Sequence, residues 1–225
     1  MGKRGPKPGF NVKKRISEIW TPKLAYAIGL LASDGCLARH VSLIDLTSND
    51  REQLENFIEC LGISLKIGRK SAGSGRTSLR VQFKNVLFYN FLLSIGLTPA
   101  KSKTIGPINI PPEYFWDFLR GVYDGDGCSH SYWDSRWRSS YMFYTIFASA
   151  SRVFIDWLRT EIHERTGAMG HITRGTSNRV LYQLKYAKKD SLLVLRGMYY
   201  GKNVISLSRK RLKVEKILHI IGQKL

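Results

Sequence analysis

Apolar residues recur along this chain with two periods, and the periods alternate. Leu24, Ala27, Ile28 and Leu31 keep helical spacing, as do Phe115, Phe118, Leu119 and Val122 further on. Thr21-Pro22 starts the first of these helices, a cap residue followed by proline in the first turn, and Pro112-Glu113 starts the second. After the first helix, residues 36–38 and 41–47 read as a hairpin turning near Arg39-His40. Leu54, Phe57, Ile58 and Leu61 return to helical spacing behind a cap at Asn49 or Asp50, and Gly62 ends that helix. Residues 64–70 and 77–84 read as strands, the latter alternating Leu79, Val81 and Phe83 with Arg80, Gln82 and Lys84. A helix over 86–95 closes the first half, and 97–111 is an irregular connector.

The same order then repeats. Strands over 128–136 and 138–149 carry Tyr132, Trp133, Trp137, Tyr141, Phe143 and Tyr144. A helix over 152–165 turns Phe154, Ile155, Leu158 and Ile162 inward and stops at Gly167. Strands over 171–173 and 179–186, a helix over 192–199, a basic tail over 208–213 and a last helix over 214–221 complete the chain. Each half therefore reads helix, two strands, helix, two strands, helix: an α/β (α+β) protein built by domain duplication rather than a solenoid. The boundaries are an arm over 1–20, a first half over 21–97, a linker over 98–111 and a second half over 112–225.

The duplication is most explicit where each opening helix ends. Ala27-Ile28-Gly29-Leu30-Leu31-Ala32-Ser33-Asp34-Gly35 and Leu119-Arg120-Gly121-Val122-Tyr123-Asp124-Gly125-Asp126-Gly127 align with Asp34 and Asp126 92 positions apart. Gly29 with Ser33, and Gly121 with Gly125, lie one turn apart on one helix face. Glycine within a helix costs about 1 kcal/mol against alanine, which two closely packed backbones would justify. The two helices are expected to meet small face to small face, with Gly35 and Gly127 as left-handed stops. Asp34 and Asp126 would then stand together at two helix C-termini, where carboxylates repel each other and meet an unfavourable dipole. A divalent cation relieves both, with the backbone of Ser33 and Gly125 as possible further ligands. The bland alternative is that each Asp-Gly merely caps a turn. Cys36 and Cys128, which follow, read as small buried residues opening a strand.

These two nonapeptides resemble the LAGLIDADG homing endonucleases of the single-chain, two-motif kind. The resemblance implies a pseudo-dimer joined at the motif helices, with antiparallel sheets forming a saddle for DNA. It implies that the last acid of each motif, Asp34 and Asp126, binds divalent metal for strand cleavage, giving short 3′ overhangs. The first copy departs by carrying Ala32 where the second keeps Asp124, a position that is not the family's metal ligand. The family also places an active-site lysine after the last helix of each half. That role maps to Lys101 and Lys210, with Lys103, Arg209 and Lys213 as rivals. Ser48 and Ser149 match positions of a water-organising polar residue, or are helix caps.

Charge sharpens the picture. Lys and Arg total 36 against 17 Asp and Glu, a net charge of +19 in 225 residues. Such an excess favours a polyanion, nucleic acid ahead of a membrane surface, with a generally adhesive basic protein as the plain alternative. Candidate DNA contacts are Arg39, His40, Lys66, Arg69, Lys70, Arg76, Arg80, Gln82 and Lys84 in the first half. In the second they are Tyr132, Arg136, Arg138, Arg174, Arg179, Gln183 and Lys185. The basic arm can lie along phosphates or reach a minor groove, or be a solubilising tail.

Phosphodiester hydrolysis needs a water nucleophile and neutralised phosphate charge, which Mg²⁺ supplies; two or three ions are expected, with Mn²⁺ substituting. Three cysteines without a paired spacing fit a reducing compartment, and no apolar run spans a bilayer, so an intracellular, non-secreted monomer is expected. The histidines lack zinc spacing and no phosphate-binding Gly-rich loop with Lys-Ser/Thr is present. The reading is a site-specific endonuclease for a long, largely asymmetric double-stranded DNA target. The alternative is a non-cleaving regulator of the same fold, or a maturase acting on intron RNA.

Overall fold

The computed structural model describes residues 16–71, 75, 77–137, 140–175 and 180–225. Helix α1, Pro22–Ser33, starts as its sequence dictates: the Thr21 side chain accepts from the Leu24 amide, with proline in the first turn. Strands β1, Gly35–Leu37, and β2, Leu43–Ser48, follow directly. Helix α2, Arg51–Leu61, ends at Gly62 with φ 62°, a left-handed stop that glycine adopts without a Cβ penalty. Strands β3, Gly68–Ser71, and β4, Thr77–Lys84, lead to α3, Val86–Ser94, capped by the Asn85 side chain.

The second half repeats the series. It comprises α4, Phe115–Asp126; β5, Cys128–Trp133; β6, Tyr141–Ser149; α5, Arg152–Thr166; β7, His171–Arg174; β8, Tyr182–Ala187; and α6, Lys188–Met198. A further helix, α7, spans Ser208–Ile220. Both sheets are antiparallel with the same order, β1-β2-β4-β3 and β5-β6-β8-β7. The chain is thus an α+β protein of two similar halves.

Helices cover one face of each sheet. Ile44, Leu46 and Val81 of the first sheet, and Phe143, Phe147, Leu184 and Tyr186 of the second, are buried against them. The other face stays open, as an antiparallel sheet allows. Registers Leu43↔Lys84, Asp45↔Gln82 and Thr47↔Arg80 place those six side chains on the open face of the first sheet.

The two halves meet through α1 and α4, which cross at their glycines. A Cβ on Gly29 would overlap the Phe118 carbonyl oxygen and come within 2.9 Å of Gly121 Cα. A Cβ on Gly121 would overlap the Tyr26 carbonyl oxygen. At Gly125 a Cβ would collide with the Ser33 side chain. The small-residue face therefore joins the halves, and its lost helix propensity is offset by backbone-to-backbone packing.

Three expectations are corrected. Gly35 and Gly127 are not left-handed: Gly127 is extended, with φ −84° and ψ 161°, and Gly35 is absent from the positive-φ residues. Each leads straight from helix into strand, and its glycine is needed because a Cβ would run into Leu31 or Tyr123 at 2.6 Å. Cys36 and Cys128 are exposed, because strand parity turns their neighbours Leu37 and Ser129 inward. The basic stretch at 208–213 is no tail but the first half of α7, where long straight-chain residues are good helix formers and Arg211 pairs with Glu215 one turn on.

Candidate active site

Asp34 and Asp126 come together at the ends of α1 and α4. Asp34 is the residue that closes α1, and Asp126 is the last of α4. A Cβ on Gly125, one residue before Asp126, would stand 3.0 Å from Asp34 Oδ2. Partial burial raises the pKa of both carboxyls. Asp126 is lifted to about 6, first by burial and then by the negative charge of Asp34, with Lys101 and Lys210 opposing. Asp34 rises less far from its ordinary range because Gln53 Nε2 donates to Oδ2 at 2.6 Å. Ser48 Oγ in turn donates to Gln53 Oε1 at 2.6 Å and accepts from the Asp50 amide, so the amide of Gln53 has a fixed orientation.

The two lysines are buried, not solvated. Lys101 sits in a 3-10 turn, Lys101–Lys103, and its Nζ donates to the carbonyls of Gly35 at 2.7 Å and Ser33 at 3.4 Å. Lys210, in α7, reaches the carbonyls of Tyr123, Gly127, Asp124 and Gly125 at 2.6, 2.7, 2.8 and 3.1 Å. Each ammonium therefore closes the C-terminus of its own half's motif helix, where free carbonyls and the dipole favour a cation. Burial lowers the pKa of both, Lys210 to about 8. The lysines also cross over electrostatically. Lys210 holds down the Asp34 pKa more than Lys101 does, and Lys101 acts more strongly on Asp126. The Ser33 and Gly125 carbonyls, candidate metal ligands by sequence, accept from these ammonium groups.

Each carboxylate opens on its own cleft. The Asp34 cleft, about 570 Å³, is lined by Ser48, Asn49, Asp50, Gln53 and, from the second half, Arg209. The Asp126 cleft, about 310 Å³, is lined by Ser149, Ala150 and, from the linker between the halves, Lys101 and Ser102. Ser149 Oγ accepts from the Ser151 amide, so both strand-end serines serve their turns as well as lining a cleft.

The open faces carry several of the sequence-predicted DNA contacts. Lys70, Arg80, Gln82 and Lys84 lie there in the first half; Tyr132, Gln183 and Lys185 share the corresponding face in the second. Arg69 pairs with Leu79 and Arg174 with Tyr182, so both belong to the opposite side of their sheets. Arg39 and His40 are exposed at the β1–β2 turn, and Lys66 is exposed ahead of β3. Arg136 is held by Asp134 beyond the end of β5. Arg76, Arg138 and Arg179, and most of the N-terminal arm, lie outside the described residues.

Two groups escaped the sequence reading. Gln53, 3% exposed on the inward face of α2, was hidden beside the apolar Leu54 and Phe57. A polar residue opposite Phe154 in the duplicate was its one signal. Asp45 occupies the middle of the first open face. It accepts from Thr47 and Gln82, and Lys70 and Arg80 stand 3.9 and 3.6 Å away. The acid two residues before Asp126, Asp124, is 1% exposed and accepts from Tyr26 OH and the Leu207 amide. It ties the halves together rather than facing either cleft.

No family model and no curated protein matches the chain. Solved structures do. The homing endonuclease I-WcaI, bound to its DNA recognition sequence, superposes with a TM-score of 0.60 at 13% identity, covering 94% of this chain and 95% of that one. The chain has the single-chain LAGLIDADG fold. I-DmoI in complex with DNA and Ca matches with a TM-score of 0.55 at 15% identity, over 86% of this chain and 97% of that one. Full-length DUF199/WhiA from Thermatoga maritima matches with a TM-score of 0.57 at 12% identity, over 91% of this chain and 61% of that one. The LAGLIDADG helices of this chain are thus α1 and α4, and Asp34 and Asp126 close them.

The donor set fits a divalent cation of the Mg²⁺ kind. Among the described residues no three His, Cys, Asp or Glu gather at one point. Mg²⁺ needs only one or two carboxylates, the remainder coming from phosphate oxygens and water. Two mutually repelling carboxylates beside open clefts, Asp34 half-buried and Asp126 exposed, meet that need.

Proposed function

We infer that this protein is a site-specific double-strand DNA endonuclease acting as a monomer. The observation that carries the reading is the juxtaposition of Asp34 and Asp126, each open to a separate cleft. One fold supports both cleaving and non-cleaving roles, and the likeness to WhiA is as good as that to the endonucleases. A regulator needs neither carboxylate at the helix ends, where their repulsion and burial are a cost. That cost is explained by a cation and a DNA phosphate.

Asp34 and Asp126 would hold the divalent ions, Mg²⁺ with Mn²⁺ as substitute. When bound, these supply charge neutralisation at the phosphate and an activated water. The rest is done by the chain. Gln53 orients Asp34 and keeps it ionised. Lys101 and Lys210 fix the carbonyls behind the carboxylates and place positive charge beside them. Two clefts give one cut per strand, leaving short 3′ overhangs. Lys70, Arg80, Gln82 and Lys84, with Tyr132, Gln183 and Lys185, face the duplex across the open sheets. Because the two faces differ, the target is long and largely asymmetric. Phosphate contacts dominate affinity, so log K falls by about 0.9 per log salt for each phosphate neutralised. The setting is intracellular, and intron homing is the biological role that such cleavage serves. Among the described residues no helix is long and apolar enough to cross a membrane.

The test is a selection from a randomised duplex library in Mg²⁺ and in EDTA, with the Asp34→Asn, Asp126→Asn double variant alongside. Cuts at one long motif, absent in EDTA and in the variant, are the expected result. Specific binding without cutting in Mg²⁺ or Mn²⁺ turns the reading to a regulator of the same fold. Binding to structured intron RNA in place of duplex DNA turns it to a maturase.

A further inference from the structure

The two clefts are built from equivalent elements but are chemically unequal. Lys101 and Lys210 are equivalents, since each closes the motif helix of its own half. The residue before Lys210 is Arg209; the residue before Lys101 is Ala100. Ser48 and Ser149 both end the second strand of a half, and five residues on stand Gln53 and Phe154. Thus the Asp34 cleft is lined by two guanidinium groups, Arg209 and Arg51, the latter donating to Glu55, and by the carboxamides of Gln53 and Asn49, where the Asp126 cleft has none of these. Phe154 is 3% exposed and packs on Trp157, with ring centroids 5.6 Å apart, so it contributes nothing polar. Ala100 takes a left-handed conformation, φ 57°, and lies outside its cleft.

Arg209 is well placed to receive an anion. Its side chain is 61% exposed, and Nε donates to Asp50 Oδ2 at 2.6 Å. Among the described residues that is its hydrogen-bond partner, so the N–H groups on its two terminal nitrogens remain for a ligand. Asp50 fixes the plane of the guanidinium at the rim of the cleft that holds Asp34. A planar fork with spare parallel donors matches two oxygens of a phosphate. The larger cleft leaves room for one.

We propose that Arg209, oriented by Asp50, forms a backbone-phosphate subsite present in the Asp34 cleft and lacking in the Asp126 cleft, so that the protein grips one DNA strand more firmly than the other. This rests on the DNA reading given above and not on cleavage. Gln53 is the matching positioning residue, holding Asp34 toward the same phosphate. The strand seated in the Asp34 cleft is the one held in register.

The test is binding, free of metal. Single methylphosphonates, which carry no charge, are scanned across the central positions of each strand of the selected duplex. Affinity is read by fluorescence anisotropy in EDTA at fixed salt. The expected result is one position on one strand where neutralisation weakens binding about tenfold more than at its counterpart on the other. Arg209→Ala abolishes that difference, and Arg209→Lys, which keeps charge without the fork, restores part of it. Equal losses on both strands in the wild type, or a difference that survives in Arg209→Ala, overturn the subsite. Its fate is separable from that of the nuclease reading. A strand difference without cutting in any divalent metal leaves the subsite standing and removes the nuclease. Cutting with symmetric binding does the reverse, and the absence of duplex binding removes both.

Discussion

Replacing Lys210 with methionine removes the ammonium while keeping a flexible stem of similar length. In the wild type, four carbonyl oxygens converge on Nζ within 2.6–3.1 Å, while a lysine offers three N–H donors, so one contact is shared. The residue is 8% exposed, so water does not readily replace the lost donors. Each buried acceptor left without a partner costs about 1–3 kcal/mol, and charge-assisted bonds lie at the upper end. The end of α4 also loses a favourable cation, about 0.3–1 kcal/mol. Relief of lysine desolvation opposes these terms, as the lowered pKa indicates. A net loss of about 3–5 kcal/mol follows for Lys210→Met. Lys101→Met exposes two carbonyls, one of them at 3.4 Å, and should cost about half as much. Urea unfolding, with midpoints compared at constant slope, measures both. A Lys210→Met protein within 1 kcal/mol of wild type, or a larger loss for Lys101→Met, refutes the view that these lysines close the motif helices.

Further outcomes follow from the same geometry. Gly121→Ala drives a methyl into the Tyr26 carbonyl and should destabilise by about 1–3 kcal/mol despite better helix propensity, read as a fall in thermal midpoint. Asp117→Ala strands the buried Arg120, which also donates to the Met198 and Ile205 carbonyls; a loss of about 3–5 kcal/mol is expected by urea titration. Asp126 has a folded pKa near 6, above its unfolded value of 3.8, so the folded protein binds the extra proton between them. Metal-free stability from this group is therefore full below about pH 4 and lost as pH rises through 6. Because its side chain still reaches solvent, the effect is discounted to about 1 kcal/mol. Asp126→Asn should flatten that slope in pH-dependent melts, and cleavage by the wild type should fall as pH drops below 6 because the ligand must be deprotonated.

Most of the scaffold was legible because local rules agreed with the fold. The Thr21-Pro22 start, the Gly62 and Gly167 stops and the alternation over Thr77–Lys84 all stand in the structure. The duplicated glycines announced the central helix pair, since nothing but close approach justifies glycine on a buried helix face. Other features depended on partners distant in sequence. Lys210 read as part of a basic tail because its four acceptors lie more than eighty residues away. Arg69 and Arg174 read with their neighbours until strand register assigned them to the opposite face. Gln53 and Asp45 look like ordinary polar residues until the elements carrying Asp34 and Gln82 are brought against them.

The most direct measurement is strand-resolved cleavage of the selected duplex by the wild type, Asp34→Asn and Asp126→Asn, each strand carrying its own label, in Mg²⁺. The account predicts that both strands are cut by the wild type, that double-strand cutting is lost in both variants, and that specific binding persists in each. Wild-type cutting by either variant, or tight specific binding by the unaltered protein with neither strand cut, contradicts it.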